Sequence, residues 1–289
     1  MSEPSKQSVS GCLYVVATPI GNLDDISARA LKTLADADLI AAEDTRHTGR
    51  LLSHFGLKKS LFALHDHNEA EATKVLMSRL QAGQSIALVS DAGTPLVSDP
   101  GYRLCREAAA ASIDICPIPG ASAVLAALSV SGLPSDRFTF AGFVPSRQEA
   151  REKFLIALKP KTETQILFVS VHQIEATLTA MCGVFGGERQ ATVCRELTKR
   201  HESVYRGTLT ELCAMHSAGR IVEKGEFVIV LAGAKDSEAQ LDTDISQLLK
   251  PLLDVLPMKL AVKTVQAATG LPRNSIYDMA LKLKSDLTE

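Results

Sequence analysis

Four short polar clusters carry most of the groups in this chain that could do chemistry. They are Thr18-Pro19-Ile20-Gly21-Asn22, Glu43-Asp44-Thr45-Arg46-His47, His65-Asp66-His67-Asn68-Glu69 and Ser90-Asp91-Ala92-Gly93-Thr94-Pro95. Carboxylates and histidines are the side chains that move protons near neutral pH, so Glu43, Asp44 and His65 are candidates for general acid–base work. The glycine-bearing turns offer backbone N–H and C=O groups with little charge. They suit a neutral or zwitterionic ligand better than a polyphosphate, which would call for lysine or arginine. On a strand, His65 and His67 would face the same way, and with Asp66 they suggest a metal site. The further ligand of a metallohydrolase is missing, and no cysteine lies near. Each cluster also has a plainer reading: Gly-Thr-Pro as a turn, the histidines as hydrogen-bonding groups, and Glu43, Asp44 and Arg46 as an ion pair at a helix start.

The elements around these clusters set where they sit. From Leu13 onward, short apolar runs alternate with helical patterns: LYVVATP, an amphipathic stretch at 27–37, DLIAAED, LFALH (61–65), SIALVSDAG (85–93) and IDICPIPG (113–120). Strands alternating with helices predict α/β architecture with a mostly parallel sheet, whose ligands bind at the carboxyl ends of the strands. All four clusters fall at such ends. Asn68-Glu69-Ala70-Glu71 reads as a capping-box variant, and Asp99-Pro100 as a cap before a first-turn proline. A second set of strands follows in FTFAGF (138–143), QILFVSV (165–171), ATVCREL (191–197) and EFVIVLAG (226–233), with a capping box at Thr208 to Glu211. The expected organisation is a disordered tail over 1–11, an α/β domain over 12–122, a second over 123–234, a polar linker over 235–244 and a helical helix-turn-helix region over 245–289. In the last, Gly270 ends one helix and Asn274 or Ser275 starts the next.

Length and composition exclude several classes. The chain has 289 residues, 46% hydrophobic and 22% charged, close to globular averages, which removes disordered and collagen-like chains. Aromatics are 4% and tryptophan is absent, which favours helix-rich α/β over an all-β sandwich. The longest apolar stretch, in PGASAVLAALSVSG, is about half of what a membrane span needs. The N-terminus lacks a signal-peptide pattern, so a cytoplasmic protein is expected, and six scattered cysteines fit reduced thiols. A net charge of −2 gives no global attraction to nucleic acid, but residues 258–284 hold five basic residues against one acidic. No G-x-G-x-x-G, Walker lysine or G-x-S-x-G motif is present.

At these same clusters the sequence resembles the RsmI family of small-subunit rRNA methyltransferases within the tetrapyrrole methylase superfamily. The matching strings include TPIGNLDDIS (18–27), IAAEDTRHTGRLL (40–52), LHDHNE (64–69), ALVSDAGTPLVSDPGYRL (87–104), PGASA (119–123), SGLPSDRF (131–138), CRELTKRHESVYRGTL (194–209) and KGEFVIVLAG (224–233). The likeness spans about 13–286. It implies two α/β domains of the tetrapyrrole methylase type with S-adenosyl-L-methionine in the cleft between them, a homodimer, and 2′-O-methylation of a cytidine in 16S rRNA at the decoding centre of the small ribosomal subunit.

Carried over residue by residue, the resemblance puts the cofactor region on Pro19, Asp91, Ala92, Gly93, Thr94, Ser122, Ala123, Phe168, Ser170, Glu196, Leu197, Gly225 and Glu226. The chemistry falls on Asp44, Glu43 and His65 as candidate bases in that order, with Arg46 orienting the acid or holding a phosphate. Where relatives commonly read Tyr-Glu-Ser-Pro-His-Arg, this chain has Phe168 to Gln173 reading FVSVHQ, and Ala141 replaces a frequent glutamate; both predict an altered cavity wall. The competing readings are a metal-dependent phosphohydrolase using His65, Asp66, His67 and Asp44, another small-molecule tetrapyrrole-type methylase, and a non-catalytic RNA-binding module built on the helix-turn-helix.

Overall fold

A computed structural model describes residues 11–234, 236–269, 271 and 273–286, with side chains left out for 236–244 and 284–286. The expected tail over 1–10 lies outside the described residues. Gly11, placed in that tail, is already docked: its N–H donates to Leu80 O at 2.8 Å, and a Cβ there would sit 1.8 Å from Gln84 O.

The first sheet holds β1 (Cys12–Val16), β2 (Leu39–Ala42), β3 (Leu61–Ala63), β4 (Ile86–Val89) and β5 (Asp114–Ile118) in the order β3-β2-β4-β1-β5, all parallel. Helices α1 (Ala28–Asp36), α2 (Thr45–His54), α3 (Glu69–Gln81) and α4 (Tyr102–Ala110) cover both faces. Alternation along β2 makes this visible. Leu39 and Ala41 pack with Leu76, Leu80 and Leu104, whereas Ile40 and Ala42 pack with Ala30, Leu34 and Leu52. Strands buried on both sides read as unbroken apolar runs, which is why they were legible.

Two helix starts differ from expectation. Asn68 makes no side-chain cap; its Oδ1 accepts from His65 N and its Nδ2 donates to Ala63 O, so it ties the turn after β3. Asp99 does not cap α4. Gly101 occupies that position at φ +115°, and Glu69 Oε1 accepts from both Gly101 N (3.0 Å) and Arg103 N (3.1 Å). The first carboxylate of one helix therefore satisfies the open donors of the next.

Helix α5 (Ala123–Ser131) leads into a second sheet of β6 (Phe138–Phe143), β7 (Thr164–Val169), β8 (Gln190–Arg195), β9 (Ser203–Thr208) and β10 (Phe227–Leu231), ordered β6-β7-β10-β8-β9. The expected parallel sheet does not extend here: only β6 and β7 run parallel, and the other three pairings are antiparallel. A tight connection over 196–202 returns the chain as β9, whose sequence SVYRGT has no apolar run to announce a strand. One face packs on α6 (Gln148–Leu158), α7 (Ile174–Phe185) and α8 (Leu209–Ser217). The other receives α5 together with Ile20 from the first domain. The capping box forms, Thr208 Oγ1 accepting from Glu211 N and Glu211 Oε2 from Thr208 N.

The chain then continues through α9 (Asp236–Val255), α10 (Met258–Thr269) and α11 (Arg273–Asp286). The stretch 236–244, expected as a linker, is helical backbone, while Lys235, Gly270 and Pro272 lie outside the described residues. Ile245, Leu249, Ala261, Val265 and Ile276 close a separate apolar core. No helix among the described residues is long and apolar enough to cross a membrane.

Glu69→Ala should cost about 1–2 kcal/mol by leaving two helix-start donors without their acceptor, and Glu69→Gln, which keeps an acceptor oxygen, clearly less. Urea unfolding of the two variants measures the difference.

Candidate functional site

The turns after β1 and β4 are laced together where the first sheet ends. Thr18 N donates to Gly93 O (2.8 Å), Gly93 N returns a bond to Thr18 O (3.0 Å), and Thr18 Oγ1 donates to Ser90 O (3.2 Å). Gly93 holds φ +79°, and a Cβ there would stand 3.3 Å from Ile20 Cγ2. The end of β2 joins the same knot through Asp44 N donating to Asp91 Oδ1 (3.1 Å) and Asp91 N donating to Glu43 Oε2 (3.4 Å).

Against this rim the second domain closes a cavity of about 480 Å³. Of the predicted residues, Glu43, Asp91, Ala92, Gly93, Thr94, Ser122, Ala123, Phe168, Ser170, Gly225 and Glu226 line it. Sequence reasoning missed Ser98 and Asp99, which repeat the Ser90-Asp91 pair later in the same loop and also line the cavity. That loop reaches its position through Leu96 and Ser98 at φ +75° and +67°, a conformation uncommon outside glycine. Phe143 was missed as well. The register shift between Phe140 and Gly142 pairs Phe140 with Ile166 and Phe143 with Phe168, so both rings fall on one face of the sheet. Without the extra residue Phe143 would point the other way.

The wall is unusually acidic. Glu43, Asp91, Asp99 and Glu226 line the cavity, and among the described residues no lysine, arginine or histidine does. Burial pushes the Glu43 carboxyl above its ordinary range; the hydrogen bond from Asp91 N opposes this, and the charges of Asp99, Asp91 and Asp66 add to it. Asp99 is likewise raised by burial, then by Asp91 and Asp66, against a hydrogen bond with Ser90.

Other predicted residues lie elsewhere. Asp44 and Arg46 do not line the cavity and form an exposed pair: Asp44 Oδ2 accepts from Arg46 Nη2 at 2.8 Å, and Oδ1 caps α2 by accepting from Arg46 N at 2.8 Å. The Arg46 guanidinium holds the Asp44 carboxyl far below the usual carboxylate range. His65 lies in the turn after β3 rather than on the strand, its ring centroid 6.0 Å from that of His67 and its Nδ1 buried without a partner. Among the described residues no three His, Cys, Asp or Glu side chains converge as a metal site.

Glu196 and Leu197 sit behind the wall. Leu197 is core, and Glu196 Oε1 accepts from Lys199 Nζ (2.9 Å) and Glu226 N (2.9 Å). Gly225 leaves room for that carboxylate, since a Cβ there would meet Glu196 Cδ at 2.2 Å. Arg151 is buried in the second domain and donates to Ser146 O and Gln173 Oε1. Val169 and Val171, two of the departures from the family pattern, line the cavity. Pro19 lines a second cavity of about 450 Å³ that shares Ile20, Asp91, Ala92 and Glu226 with the first.

Comparison with known proteins adds an independent line. The profile of the family Tetrapyrrole (Corrin/Porphyrin) Methylases matches residues 12–213, and that of the RsmI C-terminal HTH domain matches 239–284. The chain is 48% identical to ribosomal RNA small subunit methyltransferase I of Xylella fastidiosa, over 93% of this chain and 99% of that one. It is 45% identical to the protein of the same name from Escherichia coli O157:H7, over 96% and 97%. In fold it resembles diphthine synthase (TM-score 0.57, 20% identity, 77% of this chain and 90% of that one). It also resembles uroporphyrin-III-C-methyltransferase from Thermus thermophilus (TM-score 0.54, 21% identity, 77% and 94%).

A carboxyl whose pKa is raised by folding stabilises the folded chain in full only below its unfolded value, about 4.3 for glutamate, and loses that contribution as pH rises through the folded value. Glu43→Gln should therefore unfold at a higher temperature than the parent at pH 7, with the gap closing towards pH 4. Thermal melts at the two pH values check this; a parent more stable than the variant at pH 7 contradicts the assigned shift.

Proposed function

Since the chain belongs to the tetrapyrrole methylase family, and within it to the RsmI methyltransferases, we propose that it moves a methyl group from S-adenosylmethionine to the 2′-oxygen of a cytidine ribose in small-subunit rRNA, at the decoding centre. The observation that carries the donor half of this reading is the charge of the first cavity: four carboxylates, Glu226 among them paired with Lys199, and, among the described residues, no cationic side chain in the lining. Such a wall favours a ligand that brings positive charge, as a sulfonium with an ammonium does, and disfavours a polyphosphate. The acceptor half rests on the relatives' names for rRNA, on the family resemblance for the 2′-oxygen, and on the placement of Glu43. A homodimer belongs to the same reading.

In this account Asp91, Gly93, Thr94, Ser122 and Ala123 hold the donor from one side and Phe168, Ser170, Gly225 and Glu226 from the other. When bound, S-adenosylmethionine supplies an electrophilic methyl whose sulfur leaves neutral, so the transfer needs no metal. What the protein contributes first is alignment of the ribose oxygen with that methyl, which can be worth ~7–11 kcal/mol of the barrier. It contributes second a base for the hydroxyl proton. Glu43 suits this role better than Asp44, the first choice on sequence alone. A base is stronger when its conjugate acid has a higher pKa, and Glu43 is raised by burial while Asp44 is lowered by Arg46 and lies outside the cavity. Asp44 and Arg46 then serve to fix the start of α2.

The membership in a methylase family replaces the phosphohydrolase and the non-catalytic alternatives. The remaining chemistry is tested by incubating the protein with methyl-labelled S-adenosylmethionine and unmodified small-subunit rRNA, then hydrolysing with alkali. A methyl on the 2′-oxygen blocks cleavage at that cytidine; a labelled nucleotide that still cleaves would place the methyl on the base and overturn the 2′-O reading.

Glu43→Gln is expected to lower single-turnover methyl transfer by ~10²–10⁴-fold with a much smaller loss of donor affinity. Asp44→Asn should retain more than about a tenth of parental turnover, since no proton transfer is assigned to it. The reverse pattern in rapid-quench assays would return the base to Asp44.

A further inference from the structure

The second cavity holds cationic side chains that the first lacks, alongside the carboxylates Asp91 and Glu226 that both share. Its lining includes His47, Arg50 and His54 from α2 and Lys199 from the second domain, around the backbone turn of Pro19 and Gly21. The three α2 residues are spaced three and four apart, which on a helix makes one stripe. Between them Thr48, Leu51 and Leu52 turn to the core, so the burial of α2 fixes which way the stripe faces. Lys199 is already committed, its Nζ donating to Glu196 Oε1 (2.9 Å) and Glu226 Oε2 (3.0 Å). Gly21 makes room for that lysine, since a Cβ there would stand 2.3 Å from Lys199 Cγ. Arg50 is exposed, and among the described residues it has no carboxylate partner. A guanidinium left unpaired beside a cavity is suited to a carboxylate or phosphate, two of whose oxygens it can hold with parallel N–H bonds.

We propose that this second cavity is the acceptor subsite and takes a phosphodiester next to the target ribose, held by Arg50 with His47 and His54 along the same face of α2. The one carboxylate of S-adenosylmethionine is balanced by its own ammonium, whereas every nucleotide of RNA brings a phosphate whose charge has no partner within the strand. The two cavities share the wall formed by Ile20, Asp91, Ala92 and Glu226. A phosphate anchored on Arg50 leaves its ribose to reach across that wall towards Glu43. Glu43 and Asp99, which line the donor cavity and not this one, disfavour the phosphate there. Arg50 on one side and these two acids on the other thus favour ligands of opposite sign in adjoining spaces. This rests on the methyltransferase reading above and adds to it the residues that grip the acceptor strand.

The test is RNA binding by filter retention as a function of KCl, using a single-stranded fragment of small-subunit rRNA, with calorimetric titration of S-adenosylmethionine in parallel. Arg50→Ala should weaken RNA binding and reduce the salt slope by about 0.7, the amount for one phosphate contact on a single strand. Arg50→Lys should keep the slope, and both variants should bind the donor within twofold of the parent. An unchanged slope and RNA affinity in folded Arg50→Ala overturns the proposal while leaving the methyltransferase reading intact. A parallel loss of donor affinity also overturns it, because the side chain would then serve the other cavity. Inorganic phosphate at matched ionic strength separates an anion site from a strand site: competition far weaker than that of the oligonucleotide supports the strand, and equal competition per phosphate contradicts it. Failure of the methyltransferase reading would appear differently, as a parent that binds no S-adenosylmethionine.

Discussion

Carboxylates gathered in one cavity repel one another, and burial removes the water that would screen them. Glu43 and Asp99 register this as raised pKa values, each with burial as the largest cause and neighbouring acids adding to it. Much of the surrounding architecture can be understood as holding this unfavourable arrangement in place. The knot of Thr18, Gly93, Asp91 and Glu43 fixes three strand ends by hydrogen bonds that cannot relax independently. The loop carrying Asp99 takes two non-glycine residues through positive φ to bring its acid to the wall. Groups whose ionisation burial disfavours are relieved by a cationic ligand, so the same feature that costs stability favours a ligand of positive charge.

The second domain closes the cavity by a different logic. Its sheet is mostly antiparallel and presents one face to three helices and the other to α5 and the first domain. That inward face supplies the apolar half of the cavity, with Phe168 and Phe143 brought to one side by the bulge in β6. Behind it, Lys199 between Glu196 and Glu226 ties together two turns of the second domain, and Gly21 of the first packs against the lysine stem. A wall with three carboxylates from one domain and a largely apolar wall from the other suit a ligand with a cationic end and a flat heterocycle.

How much of this was legible in the sequence follows from how local each cause is. The first sheet was readable because both of its faces are buried and its strands are unbroken apolar runs. Strand β9 was not, because its pairing with β8 comes from a tight return of the chain rather than from composition. The clusters at the strand ends were found, and most of the proposed cofactor residues do line one cavity. Asp44, the first candidate on sequence alone, lies outside the cavity lining and pairs with Arg46, two residues on, an ion pair at a helix start that was one of the readings the residues allowed. Asn68 was read as the cap of its own helix and instead ties the turn before it; the carboxylate of Glu69 serves the start of α4, a contact between residues far apart in sequence. Glu196 and Leu197 were carried over from the family pattern, and only the packing reveals that they support the wall from behind.

The methyl donor is proposed to bind in the space between the knot at Gly93 and the second sheet. Gly93→Val probes this placement, because the added side chain would meet Ile20 at the cavity wall, and the strain of valine at φ +79° is monitored by the variant's own fold. Calorimetric titration with S-adenosylmethionine should show binding to the parent and none to the variant, with matching circular dichroism spectra. Parental affinity in a folded Gly93→Val protein would contradict the account.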